Sequence, residues 1–136
     1  MADGTGVAEI ITGERKVDTL VESILVRLEG APQKIKAAQQ SMMDTADEVE
    51  HAKFMLEEAE GNLISASIPG PEGPTLLISG KNQETRAAQL RGLTVNERQH
   101  LSLANQAHAR ARIAFDLEIN RFSAAKAIAR LIGRSD

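Results

Sequence analysis

Apolar residues recur along the first half of the chain in alternating steps of four and three residues. Of the fifteen members of this repeat, only Thr45 is not apolar. Such a repeat is typical of a helix that lies against another helix. Fifty residues of helix extend roughly 75 Å at about 1.5 Å per residue, so we expect an equally long partner helix. The members are Val17, Val21, Ile24, Leu28, Ala31, Ile35, Ala38, Met42, Thr45, Val49, Ala52, Leu56, Ala59, Leu63 and Ala66.

Glycines and prolines divide the first part of the chain into predicted segments. Residues 1–13 hold three glycines and little periodicity, so they are predicted to form a flexible arm. Helix 1 is predicted over residues 14–66, with a kink near residues 30–32 because a proline there removes a backbone donor. Three prolines and two glycines then fall within six residues, which predicts a hairpin loop over residues 67–81. Within it, residues 75–79 are expected to be extended without joining a sheet.

Helix 2 is predicted over residues 82–132. It is expected to break near residues 92–94, because a glycine is followed there by Thr94 and Glu97 at the spacing of a capping box. Residues 133–136 are predicted to form a short tail. The chain is therefore expected to fold back on itself as two long helices.

The second helix carries two apolar faces. One face is expected to pack on helix 1, and the other is left uncovered in an isolated hairpin, so we expect self-association. The predicted fold is all-α: a long antiparallel, coiled-coil-like helical hairpin that forms a four-helix bundle on dimerisation. The first face holds Leu101, Ala104, Ala111, Phe115, Ile119 and Phe122, and the second holds Leu103, Ala107, Ala114, Leu117, Ile128 and Leu131.

The amino-acid composition excludes several kinds of functional site. Aromatic residues make up 2% of the 136 residues, and the chain has no cysteine, tryptophan or tyrosine. Small aliphatic side chains must therefore fill the interior, and neither a disulfide framework nor a thiol nucleophile is possible. No long apolar run predicts a signal peptide or a membrane span, so a cytoplasmic protein is expected.

The net charge of −3 hides an uneven distribution. The first 80 residues carry 6 basic and 14 acidic side chains, whereas the rest of the chain carries 10 basic and 5 acidic ones. A basic helix lying along an acidic one accounts for this difference. The predicted hairpin places Arg91 level with Glu57, and Arg98 level with Glu50. Binding of nucleic acid by the basic half is the alternative interpretation.

Two Glu-x-x-His tetrads are candidate metal ligands. They run from Glu48 to His51 and from Glu97 to His100, and the predicted hairpin makes them face each other. This spacing occurs in di-iron carboxylate bundles. Surface salt bridges are the favoured interpretation, so no metal site is predicted. His108 lies on the first apolar face of helix 2 and is interpreted as a hydrogen-bonded interior histidine.

The segment after the loop, residues 80–90, reads Gly-Lys-Asn-Gln-Glu-Thr-Arg-Ala-Ala-Gln-Leu. Asn82 is predicted to cap helix 2. The segment resembles the Gly-Lys-Asn-x-x-x-Arg-Lys/Ala stretch of small helical proteins of tailed phages and prophages, which are often encoded among DNA replication and recombination genes. The resemblance implies a phage-encoded accessory protein with Lys81, Asn82 and Arg86 as the matched residues. It names no catalytic residue, and a helix cap with flanking charges is the structural interpretation.

These patterns predict a non-enzymatic, oligomeric binding or scaffolding module without a cofactor, located in the host cytoplasm if it is phage-encoded. Its partner is expected to be a protein or an anionic ligand. One alternative is a non-specific nucleic-acid-binding accessory protein of phage replication or recombination, since cations contact phosphates without reading sequence. A second alternative is a ferritin-like metal-binding bundle. The candidate partner or phosphate contacts are Lys81, Asn82, Arg86, Arg91, Arg98, Arg110 and Arg112.

Overall fold

Over the residues that it describes, 3–134 for the backbone and 18–133 for the side chains, the computed structural model contains three helices and one two-stranded sheet. The prediction of an all-α helical hairpin is confirmed. The four-helix bundle stays a prediction. The elements are α1 (Asp3–Ser65), β1 (Ser67–Gly70), β2 (Gly73–Leu76), α2 (Gln83–Leu93) and α3 (Val95–Arg134).

The chain divides into two compact units. We call residues 1–40 with 113–136 the terminal unit, and residues 41–112 the central unit. In the central unit, Val49 and Ala52 of α1 form a buried cluster with Ala104 of α3. In the terminal unit, Ile24 and Ala31 of α1 and Ala125 of α3 are buried. Both interiors consist mainly of small aliphatic side chains.

The 4-3 repeat of α1 coincides with its buried side. Every member from Val21 to Ala66 is buried or half-buried, whereas Met43 and Phe54, outside the repeat, are exposed. Val17 lies outside the described side chains. The repeat therefore identifies the packing face of α1 correctly, including its single polar member, Thr45. Pro32 lies inside α1, so the helix continues past residues 30–32, where a kink was predicted.

Helix α3 has a matching 4-3 repeat, and five of the six residues predicted for its first apolar face belong to it, as does His108. Two of its members, His108 and Glu118, are polar, and they interrupt the apolar pattern. Ile119, which was assigned to this face, is more than one third exposed and lies beside the repeat. Apart from Ala107, the buried and half-buried residues of α3 between Leu101 and Ile132 are Leu101, Ala104, His108, Ala111, Phe115, Glu118, Phe122, Ala125, Ala129 and Ile132.

The ends of the two long helices differ from the prediction. Helix α1 begins at Asp3, so the predicted arm at residues 1–13 is wrong from residue 3 onward. A glycine inside a helix costs only about 1 kcal/mol relative to alanine, and the helix accommodates the three glycines of this stretch. At the other end, α3 continues to Arg134, two residues beyond the predicted end of helix 2, and residues 135–136 lie outside the described part.

The proline-rich loop contains a β-hairpin, so the prediction that this region joins no sheet is wrong for Thr75 and Leu76. Strands β1 and β2 pair antiparallel, with Pro69 opposite Pro74. The amide of Leu77 donates to the carbonyl of Ala66 at 2.9 Å. Because hydrogen-bonded pairs alternate along an antiparallel ladder, the proline pair then falls at a non-hydrogen-bonded position. Neither proline interrupts the ladder there, which is why the strands tolerate them.

Candidate interaction surfaces

Residues 80–82 fold back onto the first turns of α2 as a loop closed by hydrogen bonds. The amide of Gly80 donates to Oε1 of Gln89 at 2.9 Å, and Nη1 of Arg86 donates to the carbonyl of Gly80 at 3.1 Å. A Cβ on Gly80 would lie 2.8 Å from the backbone nitrogen of Arg86 and 2.8 Å from Cγ2 of Thr85. Only glycine fits this position without a rearrangement. Arg86 therefore contributes to the closure of the loop.

Asn82 caps helix α2, as the sequence predicted. Its Oδ1 accepts hydrogen bonds from the backbone nitrogen and the hydroxyl of Thr85, both at 2.8 Å. The side chain thus satisfies one of the free donors at the helix start. Lys81, the remaining matched residue, is exposed. The local geometry agrees with the structural interpretation of the segment, a helix cap with flanking charges.

An apolar groove lies beside this loop in the central unit. It has a volume of about 370 Å³, and we call it the tip groove. Arg86 and Gln83 are its polar members, and Ile64 and Leu76 leave about half of their surface exposed along it. Its size falls at the lower end of the range for ligand-binding clefts. Its lining residues are Ile64, Leu76, Ile78, Gln83, Arg86, Ala87 and Leu90.

Thr94 joins α2 to α3 through a polar network, within the predicted break at residues 92–94. Its side chain is fully buried, its hydroxyl donates to the carbonyl of Leu90 at 2.7 Å, and its oxygen accepts from Nε of Arg98 at 3.0 Å. The capping box with Glu97 is therefore wrong, because the hydroxyl bonds to the preceding turn. Nη2 of Arg98 continues the network to Oε1 of Glu60 at 2.7 Å.

The predicted pairing of Arg98 with Glu50 is thus wrong, and Arg98 already has two internal partners, Thr94 and Glu60. The predicted register assumed that helix 1 ends, and helix 2 begins, directly at the loop. The intervening residues fold instead as the β-hairpin and α2, and α3 begins only at Val95. This offset shifts the register between the long helices.

The other predicted arginines are exposed. Among the described side chains no ion pair joins Arg91 to Glu57, so that predicted pair is wrong too. Arg91 lies in the last turn of α2, where a positive charge interacts favourably with the helix dipole. Arg110 and Arg112 lie on the exposed side of α3. These three side chains remain candidates for contacts with a partner.

The one polar position in the α1 repeat meets a histidine. Oγ1 of Thr45 lies 3.0 Å from Nδ1 of His108. Oγ1 of Thr45 also lies 2.9 and 3.0 Å from the carbonyl oxygens of Ser41 and Met42, and the tautomer of the His108 ring decides which of the two side chains donates in their contact. The interpretation of His108 as a hydrogen-bonded interior histidine agrees with this geometry.

The two Glu-x-x-His tetrads do not form a metal centre in the described part of the chain, which contains no group of three potential ligands. Since Thr45 lies opposite His108, antiparallel helices place Glu48 near the level of Asn105, away from His100. His51 and His100 are exposed. The predicted facing of the tetrads is therefore wrong, for the same shift of register.

The terminal unit contains a small cationic cleft of about 260 Å³. Arg27 and Lys34 of α1 and Arg121 of α3 are its basic members. Glu118 lies in the same cleft, and its Oε1 is 3.3 Å from Nη1 of Arg121. Three basic side chains and one carboxylate thus line the cleft. Ala31 and Phe122 complete the lining of this cleft.

The second apolar face of α3 is exposed over most of its length, as predicted. Leu103, Leu117 and Leu131 are 56%, 46% and 66% exposed, while Ala107 is half-buried. Large aliphatic side chains in such a regular row are unusual on a surface that has no partner. The row is a candidate contact surface.

None of the helices, over the residues described, is both long and apolar enough to cross a membrane. In comparisons with known proteins, no family model matches the chain, and no curated protein or solved structure matches it either.

Proposed function

We propose that this chain is a non-enzymatic, phage-type accessory protein that acts as an oligomeric helical-hairpin module and binds or scaffolds a protein or an anionic ligand in the cytoplasm. The observation that carries the proposal is the row of exposed aliphatic side chains on α3. Helix α3 already packs on α1 through its own 4-3 repeat. The row therefore serves contacts outside the hairpin.

The side chains suited to chemistry have structural partners or lie isolated on the surface. His108 bonds to Thr45 within the helix interface, and His51 and His100 are exposed on separate helices. A general base needs a reacting group within about 3 Å in a cleft. None of these three histidines lines the tip groove or the cationic cleft. This distribution favours binding over catalysis.

The tip groove supports a protein ligand. Its lining is mainly aliphatic, and Arg86 adds a positive charge. An apolar side chain next to an acidic group on a partner would fit such a surface. The resemblance of residues 80–90 to a segment of small phage and prophage proteins supports a phage-type accessory role.

Solution mass tests the oligomeric part of this proposal. Light scattering over a range of micromolar concentrations is expected to give a multiple of the 14.7 kDa chain mass. The control is the Leu117→Glu, Leu131→Glu variant, which charges the exposed row without touching the α1 interface. It is expected to have a lower mass and unchanged helical circular dichroism. A wild-type chain that stays monomeric at all concentrations contradicts the oligomeric module.

A second candidate function, non-specific binding of nucleic acid, is favoured by the cationic cleft. Arg27, Lys34 and Arg121 line this cleft together with a single carboxylate, Glu118. Contacts with phosphates weaken steeply with salt, because binding releases counterions. Fluorescence anisotropy with labelled single- and double-stranded DNA at 50 and 200 mM salt is the test. If the chain binds nucleic acid through this cleft, its affinity for DNA falls about tenfold or more between 50 and 200 mM salt. The double variant Arg27→Gln, Lys34→Gln is then expected to bind DNA more weakly than the wild type. Equal binding by wild type and variant rejects the cleft as the site.

A further inference from the structure

Two basic side chains of the cationic cleft have no counter-charge on their own helix. Arg27 and Lys34 are exposed and lie about two turns apart on the same side of α1. The positions three and four residues from each, which a helix places next to it, hold only serine, isoleucine, glycine and alanine. Among the described side chains, no ion pair involves either residue. Both charges are therefore available to a ligand.

Helix α3 adds the third positive charge of the cleft and its one carboxylate. Oε1 of Glu118 lies 3.3 Å from Nη1 of Arg121, a contact that occupies one of the donors of the guanidinium. The side chain of Arg121 is 63% exposed, so its other donors are accessible. Three positive charges and one negative charge leave the lining of the cleft with a net charge of +2. The cleft therefore suits a ligand with two negative charges.

The volume and the apolar lining of the cleft restrict the ligand further. Its volume of about 260 Å³ lies below the range of roughly 300–1,000 Å³ for clefts that enclose drug-sized ligands. A small molecule, or one group of a larger molecule, therefore fits the cleft. Ala31 and Phe122 supply apolar surface beside the charges. A ligand with a doubly charged head and a small hydrocarbon part would use both kinds of lining.

We propose that the cationic cleft binds a phosphate monoester of a small organic molecule. A monoester carries a charge of about −1.5 to −2 at pH 7, which matches the net charge of the lining. A phosphate diester, as in the nucleic-acid backbone, carries only one negative charge. Arg27 binds the phosphate through paired hydrogen bonds and Lys34 as a point charge, while Arg121 contributes its remaining donors. The hydrocarbon part lies against Phe122.

This inference names the anionic ligand of the proposed function and rests on it. Its test compares two probes, phenyl phosphate and the diester methyl phenyl phosphate, by isothermal titration calorimetry at pH 7.5 and low salt. The wild-type chain is expected to bind the monoester about fivefold or more tightly than the diester, which is the effect of one additional charge near a cation in water. Equal affinity for the two probes would reject the match of charges and favour nucleic acid as the ligand.

Substitutions locate the site. Arg27→Gln, Lys34→Gln is expected to weaken the binding of phenyl phosphate about tenfold or more, because each hydrogen bond between charged groups contributes about this factor. The matched control is Lys36→Gln, Arg130→Gln, which removes the same number of charges from the terminal unit but outside the cleft. It is expected to bind as the wild type does. An equal loss in both double variants would mean that the probe responds to net charge and not to the cleft.

Glu118→Gln is the converse variant, since it raises the net charge of the lining and releases Arg121. It is expected to bind phenyl phosphate more tightly, and weaker binding would contradict the proposed role of the charges. If the wild-type chain does not bind phenyl phosphate, the inference is wrong, whereas the oligomeric module is tested separately by solution mass. A monomeric chain that binds the probe through the cleft contradicts the oligomeric module and leaves this inference standing.

Discussion

The two polar interruptions of the α3 repeat, His108 in the central unit and Glu118 in the terminal unit, are satisfied in different ways. His108 bonds across the interface to Thr45 of α1, whereas Glu118 bonds along its own helix to Arg121. A hydrogen bond between two helices forms at only one alignment of those helices. A hydrogen bond within one helix forms whatever the alignment with the neighbouring helix.

The central unit therefore carries the contacts that specify how its helices align. Its second interhelical polar contact joins Arg98 to Glu60, and the same arginine bonds to the buried Thr94. In the terminal unit, the described ion pair lies within α3, and Lys126 lies over the ring of Phe122 on the same helix at 4.9 Å. These two contacts lie within one helix, so they do not specify how the helices of the terminal unit align.

The largest effect is expected from Thr94→Val. This change removes the hydroxyl while keeping the shape, so Arg98 loses an acceptor and the carbonyl of Leu90 loses a donor. Loss of such a buried partner costs about 1–3 kcal/mol. Urea unfolding followed by circular dichroism at 222 nm measures the change. Thr75→Val is the control, because its hydroxyl is exposed and 3.5 Å from its acceptor. Equal stabilities of the two variants would show that the buried network contributes little.

Thr45→Val is expected to destabilise the chain by about 1 kcal/mol, since Nδ1 of His108 loses its hydrogen-bond partner. Adding His108→Leu is expected to restore most of the lost stability, because both members of the pair are then apolar. The same urea titration applies to the single and double variants. If the double variant is less stable than Thr45→Val alone, the histidine contributes through packing and not through this bond.

The smallest effect is expected from Glu118→Leu, which is predicted to be neutral or to stabilise by up to about 1 kcal/mol. The change loses an ion pair worth less than about 1 kcal/mol and places an aliphatic side chain in the helix interface. Thermal unfolding measures it. Since the cleft also loses its carboxylate, any affinity for DNA should rise. A loss of more than about 1 kcal/mol would mean that Glu118 supports the interface as His108 does.

Local sequence signals were sufficient for several elements. The packing face of α1, the cap at Asn82 and the junction near Thr94 each depend on residues within one or two turns of helix. The α3 repeat was predicted in part, because Glu118, Ala125, Ala129 and Ile132 were not assigned to it. A search that accepts polar members at 4-3 spacing would have found them. The β-hairpin was missed because its prolines oppose each other, and a single strand does not show this pairing.

The sequence by itself determined that two long helices pack through 4-3 repeats, because that spacing follows from helix geometry alone. The tertiary structure decided the register, and with it the partners of Arg98, Thr45 and the Glu-x-x-His tetrads. A periodic apolar repeat matches its partner almost equally well after a shift of seven residues. Only the folded chain shows which shift lets Thr45 meet His108 and Arg98 meet Glu60.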